Sequence, residues 1–139
     1  MAITMKNRER VAIVGSRSLE SPEDKAMVYA IVRSLKAGTV VVSGGAEGVD
    51  KWAEQHARDL GLVTVVVIPP WQALGKSAGV IRNGIIAQIA DRCIALHDGK
   101  SHGTANTIGH FEKLKKPIKV LKITPKMTSD QRTKLLASL

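Results

Sequence analysis

The sequence predicts a three-layer α/β domain of Rossmann-like architecture, with a mainly parallel sheet of about five strands. Three observations carry that prediction. Short β-branched apolar runs alternate with segments whose apolar residues recur at helical spacing. The runs are apolar nearly throughout, as expected where helices cover both faces of a parallel sheet. Three of them lead directly into turns of glycine and small polar residues: Gly15-Ser16-Arg17, Ser43-Gly44-Gly45-Ala46-Glu47-Gly48 and Gly99-Lys100-Ser101-His102-Gly103-Thr104. A strand, a glycine turn and a helix in succession form the local architecture of an anion site. Glycine lets the backbone approach a ligand, and the new helix presents unpaired N–H groups.

The elements follow in order. Val11 to Val14 reads as a buried strand. Ser21 is placed to cap the next helix, Pro22 suits its first position, and Glu23 and Asp24 favour its dipole. Ala26, Met27, Ala30, Ile31 and Leu35 then recur at helical spacing until Gly38. The second strand is Thr39 to Val42, and the second helix runs from about Val49 to Leu60, with Gly61 as its terminating residue. Leu62 to Ile68 is the third strand, ended by Pro69-Pro70-Trp71, and Gln72 to Gly79 reads as loop. A helix from about Val80 to Ala90 leads to a fourth strand, Arg92 to Leu96, and a helix from about Thr104 to Lys115 leads to a fifth, Ile118 to Ile123. Thr128-Ser129-Asp130-Gln131 has the form of a capping box for a terminal helix over about residues 128–138. No repeat or internal linker divides the chain, so residues 1–139 are expected to form one domain with its core over about 10–123.

Composition narrows the functional classes. No apolar run approaches the roughly 20 residues of a membrane span, and Met1 to Arg10 lacks the apolar stretch of a secretion signal. The lone Cys93 sits mid-strand as a small core residue and cannot form an internal disulfide. A cytoplasmic protein without a membrane partner is expected. The net charge of +9 is uneven, with +3 over residues 1–110 and +6 over residues 111–139. A basic tail draws polyanions through counterion release, yet lysines also keep exposed helix faces and edge strands soluble. Phe111 is the one aromatic in that segment on which a base can stack. His56, His97, His102 and His110 lack metal-ligand spacing, and no metal or cofactor is expected.

Taken together, Gly15-Ser16-Arg17, Ser43-Gly44-Gly45-Ala46-x-Gly48-x-Asp50, Trp71 followed by Gly75-Lys76-x-Ala78-Gly79-x-x-Arg82-Asn83, and Ser101-x-Gly103-Thr104 resemble the SLOG superfamily. The nearest likeness is to its YspA-like branch, and the resemblance spans about residues 10–123. It implies a Rossmann-like fold that binds nucleotides or nucleotide-derived ligands such as ADP-ribose derivatives. Similar families include ligand sensors in antiviral defence, the single-stranded-DNA-binding DprA, and Lonely-guy-type phosphoribohydrolases. Homodimers with sites near the subunit boundary are common in such families, which makes a homodimer the expected state.

If the strand order is 3-2-1-4-5, the three glycine turns converge at the carboxyl ends of the strands, where open α/β sheets take their ligands. Ser43, Gly44 and Gly45 then either offer N–H groups to phosphate or form a plain tight turn. Ser101, Gly103 and Thr104 either hold a phosphate or ribose, or simply begin a helix. Asp50 either accepts from ribose hydroxyls or serves the helix dipole. Arg82 and Arg17 are the phosphate-binding candidates, and Asn83 is a candidate reader of a base or ribose edge. Trp71 either stacks on a base or closes the core or a subunit contact. Gly15, Ser16, Gly48 and Lys76 join the ligand set through the motif match. Phosphoribohydrolases carry a glutamate in Pro-Gly-Gly-x-Gly-Thr-x-x-Glu, and Thr107 stands at that position here. A hydroxyl cannot act as that acid or base near neutral pH. No catalytic residue is therefore assigned, and N-glycosidase activity ranks behind two binding functions. The first is binding of a nucleotide-derived small molecule. The alternative is DprA-like binding of single-stranded DNA.

Overall fold

The structure is a computed structural model that describes residues 8–69 and 74–139, apart from the side chain of Lys76. The chain alternates strands and helices: β1 (Arg10–Gly15), α1 (Pro22–Ser34), β2 (Val40–Ser43), α2 (Val49–Asp59) and β3 (Val63–Val66) come first. A 3-10 turn (Gly75–Ser77) then runs into α3 (Ala78–Ile89), followed by β4 (Arg92–His97), α4 (His102–Lys113), β5 (Ile118–Lys122) and α5 (Ser129–Ala137). The strands pair in the order β3-β2-β1-β4-β5, all parallel, with Val11 opposite Val41, Ile13 opposite Ile94 and Leu96 opposite Leu121. The order reverses between β1 and β4, and this sets the switch point of the sheet.

Side chains of successive strand residues take opposite faces, and the two cores follow that alternation. Val11, Ile13 and Ile94 pack with Met27, Val28 and Ile31 of α1 and with Ala53 and Ala57 of α2. Ala12, Val14, Cys93 and Ala95 face Ile86 and Ala87 of α3 and Phe111 of α4. The central strands β1 and β4 place the small side chains of Ala12, Cys93 and Ala95 on this face, so the backbones of α3 and α4 can lie close to the sheet there. Phe111, fully buried, fills the space those small residues leave.

Local chemistry explains the element ends. Ser21 Oγ accepts from Asp24 N, and the Asp24 carboxylate accepts from Ser21 N, which closes a capping box with Pro22 at the first helical position. Thr128 and Gln131 form the equivalent box on α5. Lys116 Nζ donates to three carbonyls at the end of α3, Ala87 O (2.7 Å), Gln88 O (3.0 Å) and Ala90 O (2.8 Å). An ammonium there satisfies orphan acceptors and the negative end of the helix dipole. Arg132 of α5 donates to Asp24 Oδ1 at 2.7 Å, and both side chains are buried. Two cations of the basic C-terminal segment are therefore bound internally rather than presented to a partner.

Three expectations are corrected. β3 is shorter than Leu62 to Ile68 and lies at the sheet edge, where all four of its residues are at least partly exposed, so it is not covered on both faces. The buried stripe of α1 is Met27, Val28, Ile31 and Val32, one position round from the expected one, and Ala26 is exposed. The segment read as loop up to Gly79 already turns at Gly75–Ser77 and is helical from Ala78. Among the described residues no helix is long and apolar enough to cross a membrane.

Candidate functional site

A crevice of about 650 Å³ opens at the carboxyl ends of β1 and β4, at the switch point. Gly15 and Arg17 line it from the β1–α1 turn, Arg82 and Asn83 from α3, and Ser101, Gly103 and Thr104 from the start of α4. Asp50 forms part of the floor. Trp71 and the side chain of Lys76 lie outside the described residues.

Gly15 is required by close packing. A Cβ there would sit 2.5 Å from Val49 Cγ2, so the end of β1 can meet the start of α2 only without a side chain. Ser16 is buried rather than presented to the crevice. Its Oγ shares a hydrogen bond with Thr104 Oγ1 at 3.1 Å and accepts from Asp98 N at 3.1 Å, which ties the β1–α1 turn to the β4–α4 turn. Arg17, next in the chain, is exposed at the crevice mouth.

The β2–α2 turn departs from the expectation that its N–H groups await a phosphate. Gly44 N donates to Asp50 Oδ2 at 3.0 Å, Ala46 N donates to the same oxygen at 3.4 Å, and Gly45 N donates to Ser43 Oγ at 3.2 Å. Asp50, an internal anion, fills the seat that a bound anion would take. Ser43 Oγ in turn donates to buried Glu54 Oε1 at 2.7 Å. Gly48 turns the chain into α2 at φ +86°, a region that favours glycine. Ser43, Gly44, Gly45 and Gly48 thus shape the site from behind and do not line the crevice.

Arg82 is held in place from both sides. Its Nη1 donates to Gly44 O, and its Nε donates to Asn83 Oδ1 at 2.9 Å. Asn83 Nδ2 donates to Asn106 Oδ1 at 3.1 Å and to Gly103 O at 3.4 Å. The Asn83 amide, expected to read a base or ribose, is therefore engaged within the protein: it ties α3 to α4 and helps hold the Arg82 guanidinium against the β2–α2 turn. Burial lowers the pKa of Arg82, Asp50 opposes that shift, and neighbouring Arg17 adds to it. Burial raises Asp50 from 3.8 to about 6 against the pull of the Ala46 N–H, Arg82 and the Gly44 N–H, while Glu54 adds to the rise.

Ser101 caps α4, accepting from Thr104 N at 3.3 Å. The first N–H groups of that helix, at His102 and Gly103, have no intrahelical partner and border the crevice. Asp98 organises the turn before it by accepting from Lys100 N and Ser101 N, each at 2.8 Å, and from Ser18 Oγ at 2.7 Å. The Ser18 bond, followed by these N–H groups, holds its carboxyl well below the usual carboxylate range. Thr107 is buried and its hydroxyl donates to Gly103 O at 3.1 Å, so it completes the turn of α4. Ser18 and Asn106 belong to no motif in the sequence. The only available signal was that Ser18 and Asp98 border the same two turns as Gly15 and Ser101.

The chemistry of the crevice is that of anion recognition. Two guanidinium groups and an open helix N-terminus converge, while the nearby carboxylates are occupied by N–H and hydroxyl donors. Among the described residues no group of three or more His, Cys, Asp or Glu side chains could hold a metal ion.

This arrangement defines a Rossmann-type α/β domain with an anion-seeking crevice at its sheet switch point. The chain belongs to the DNA recombination-mediator protein A family, whose model matches residues 2–71. It is 34% identical over 119 residues to the Gene 61 protein of Mycobacterium phage D29, spanning 78% of this chain and 93% of that protein. Among solved structures it resembles DNA processing protein A from Helicobacter pylori, studied for its single-stranded DNA binding mode. That match has a TM-score of 0.72 and 26% identity, covering 96% of this chain and 73% of the other. DNA processing protein A from Streptococcus pneumoniae shares the fold with a TM-score of 0.73 and 23% identity; 94% of this chain is covered, but only 56% of that one. The molybdenum cofactor carrier protein of Chlamydomonas reinhardtii shares it with a TM-score of 0.67 and 20% identity, over 95% of this chain and 84% of that one.

Proposed function

We propose that the domain binds single-stranded DNA, seating a backbone phosphate between Arg17, Arg82 and the N-terminus of α4. The observation that carries this reading is the convergence of Arg17 and Arg82, from separate segments, on one open crevice at a helix N-terminus. A phosphodiester oxygen can take the Arg82 guanidinium edge-on while the other oxygen accepts from the α4 N–H groups. Family membership and the single-stranded DNA binding studied in the Helicobacter pylori neighbour support the same reading. With aromatic residues at 3% of the sequence, affinity rests on phosphate contacts more than on stacking, and so on salt. Arg17 is exposed and forms no ion pair among the described residues, so its removal is expected to leave the fold intact. Arg17→Ala is expected to weaken oligonucleotide binding about tenfold and to lower the salt slope by about one, read by fluorescence anisotropy. Unchanged affinity would remove Arg17 from the site.

A second reading, binding of a nucleotide-derived small molecule such as an ADP-ribose derivative, is favoured by the size of the crevice. Its 650 Å³ falls within the roughly 300–1,000 Å³ of small-molecule sites, and the same phosphate seat would serve. Calorimetry with ADP-ribose at high salt separates the two. Saturable heat that survives salt supports the small ligand; its absence, with salt-sensitive DNA binding, supports the polymer.

We also propose that the domain pairs with a second copy of itself through α3. That helix exposes Val80 (51%), Ile81 (40%) and Ile85 (37%), and Ile81 and Ile85 stand one turn apart. Sedimentation is expected to show a dimer that Ile81→Glu converts to monomer; an unmodified chain that sediments as a monomer contradicts the pairing.

A further inference from the structure

A second cavity of about 240 Å³ adjoins the crevice and shares Ser18 and Asp98 with it. The hydrogen bond between these two residues is the ridge between the compartments. On the far side the cavity is bounded by the β1–α1 turn, by the turn after β5 and by Arg132 of α5. Leu19, Ile123 and Pro125 make its surface mainly apolar. Arg132 is nine-tenths buried and fixed by Asp24, and its Nε has no hydrogen-bond partner.

We infer that this cavity takes the nucleobase of the nucleotide adjoining the phosphate held in the crevice. The inference rests on the single-stranded DNA reading above. Charge decides which part of the nucleotide enters: Arg132, the one cation in the wall, is already neutralised by Asp24, which leaves Glu20 and Asp98 to oppose a second phosphate, whereas an uncharged ring gains from the apolar surface. The Arg132 guanidinium, pinned by Asp24, borders the cavity and adds a planar cation of the kind on which bases stack. The shared ridge makes the two compartments immediate neighbours, as consecutive parts of one strand require. The backbone phosphate thus sits on one side of the Ser18–Asp98 ridge and the base on the other.

The test uses the trinucleotide pdApdApdA and two versions in which the first or last base is replaced by an abasic sugar. Each competes with a fluorescein-labelled oligonucleotide for the full chain. Thr124→Trp supplies a second arm, because Thr124 is exposed at the cavity rim and its side chain makes no hydrogen bond among the described residues, so the indole fills the cavity from outside. Removal of one terminal base, and not the other, is expected to weaken binding about tenfold, in the range seen for loss of one bound base. Thr124→Trp is expected to weaken the intact trinucleotide to the same level and to leave the binding of inorganic phosphate, which carries no base, unaffected. Equal affinities of intact and abasic trinucleotides for the unmodified chain, within twofold, would overturn the inference even if Thr124→Trp fails to fold. In that case tight binding of the labelled strand would leave the phosphate seat standing. Failure of the labelled strand itself to bind would defeat both.

Discussion

Arg82→Ala is expected to weaken single-stranded DNA binding by roughly ten- to a hundredfold, as loss of a charge-assisted phosphate contact of about 1.5–3 kcal/mol requires. Arg82 is only half-buried on α3, so the fold should persist, which circular dichroism checks. Gly44→Ala is expected to act in the same direction without removing any charge. A Cβ at Gly44 would stand 2.5 Å from Arg82 Nη1 and 3.0 Å from Asp50 Oδ2, so the guanidinium must leave its place. Gly109→Ala is the control: it lies in α4 with nothing within 4 Å of the added carbon, and its effect is limited to a small gain in helix stability. If Gly44→Ala binds like the unmodified chain while Arg82→Ala does not, the position of the guanidinium matters less than its charge.

The second large effect is on pH dependence. Asp50 is buried and titrates near 6, above its ordinary 3.8. Between about pH 4 and 6 the folded chain therefore holds more protons on this group than the unfolded chain, and stability falls as pH rises through that window. Above it the contribution is level, and the full cost of keeping Asp50 ionised is on the order of 3 kcal/mol. A bound phosphate beside this carboxylate disfavours its ionised form further, so binding takes up a proton and affinity rises as pH falls toward 6. The charged groups acting on Asp50 are Arg82 from α3 and Glu54 from α2, with Arg17 acting through Arg82. From β4 the Cys93 thiol is kept neutral, its pKa pushed up by burial and then by Asp50. Asp50→Asn is expected to bind DNA several-fold more tightly at pH 8, to lose the rise on acidification, and to lose the stability slope between about pH 4 and 6. Urea denaturation and anisotropy across that range measure both. A wild-type-like slope in Asp50→Asn would assign the titration to another group.

Much of this architecture is legible from local patterns. The strand–turn–helix junctions at Gly15, Ser43 and Gly99 reflect backbone rules that act over a few residues, as do the caps at Ser21 and Thr128. What the local pattern does not reveal is which groups meet across the fold. Asp50 reaches back to Gly44 and Ala46, so a turn with the composition of a phosphate loop is filled by its own carboxylate. Nothing in the spacing distinguishes a turn awaiting an anion from one that already holds it. Lys116 and Arg132 count as basic tail in the sequence, yet one closes α3 and the other pairs with Asp24, far away along the chain. Asn83 carries a motif match, but its buried position between α3 and α4 makes it a positioner of Arg82. The partial exposure of β3 follows from strand order, which a run of valines does not encode.

The most direct measurement of the central claim is anisotropy of a fluorescein-labelled single-stranded oligonucleotide at neutral pH, in salt from about 50 to 200 mM, for the unmodified chain and Arg17→Ala. The account predicts tight binding at low salt, a linear fall of log affinity with log salt, and a shallower, weaker line for Arg17→Ala. No binding at low salt, or an affinity indifferent to both salt and Arg17, would contradict it.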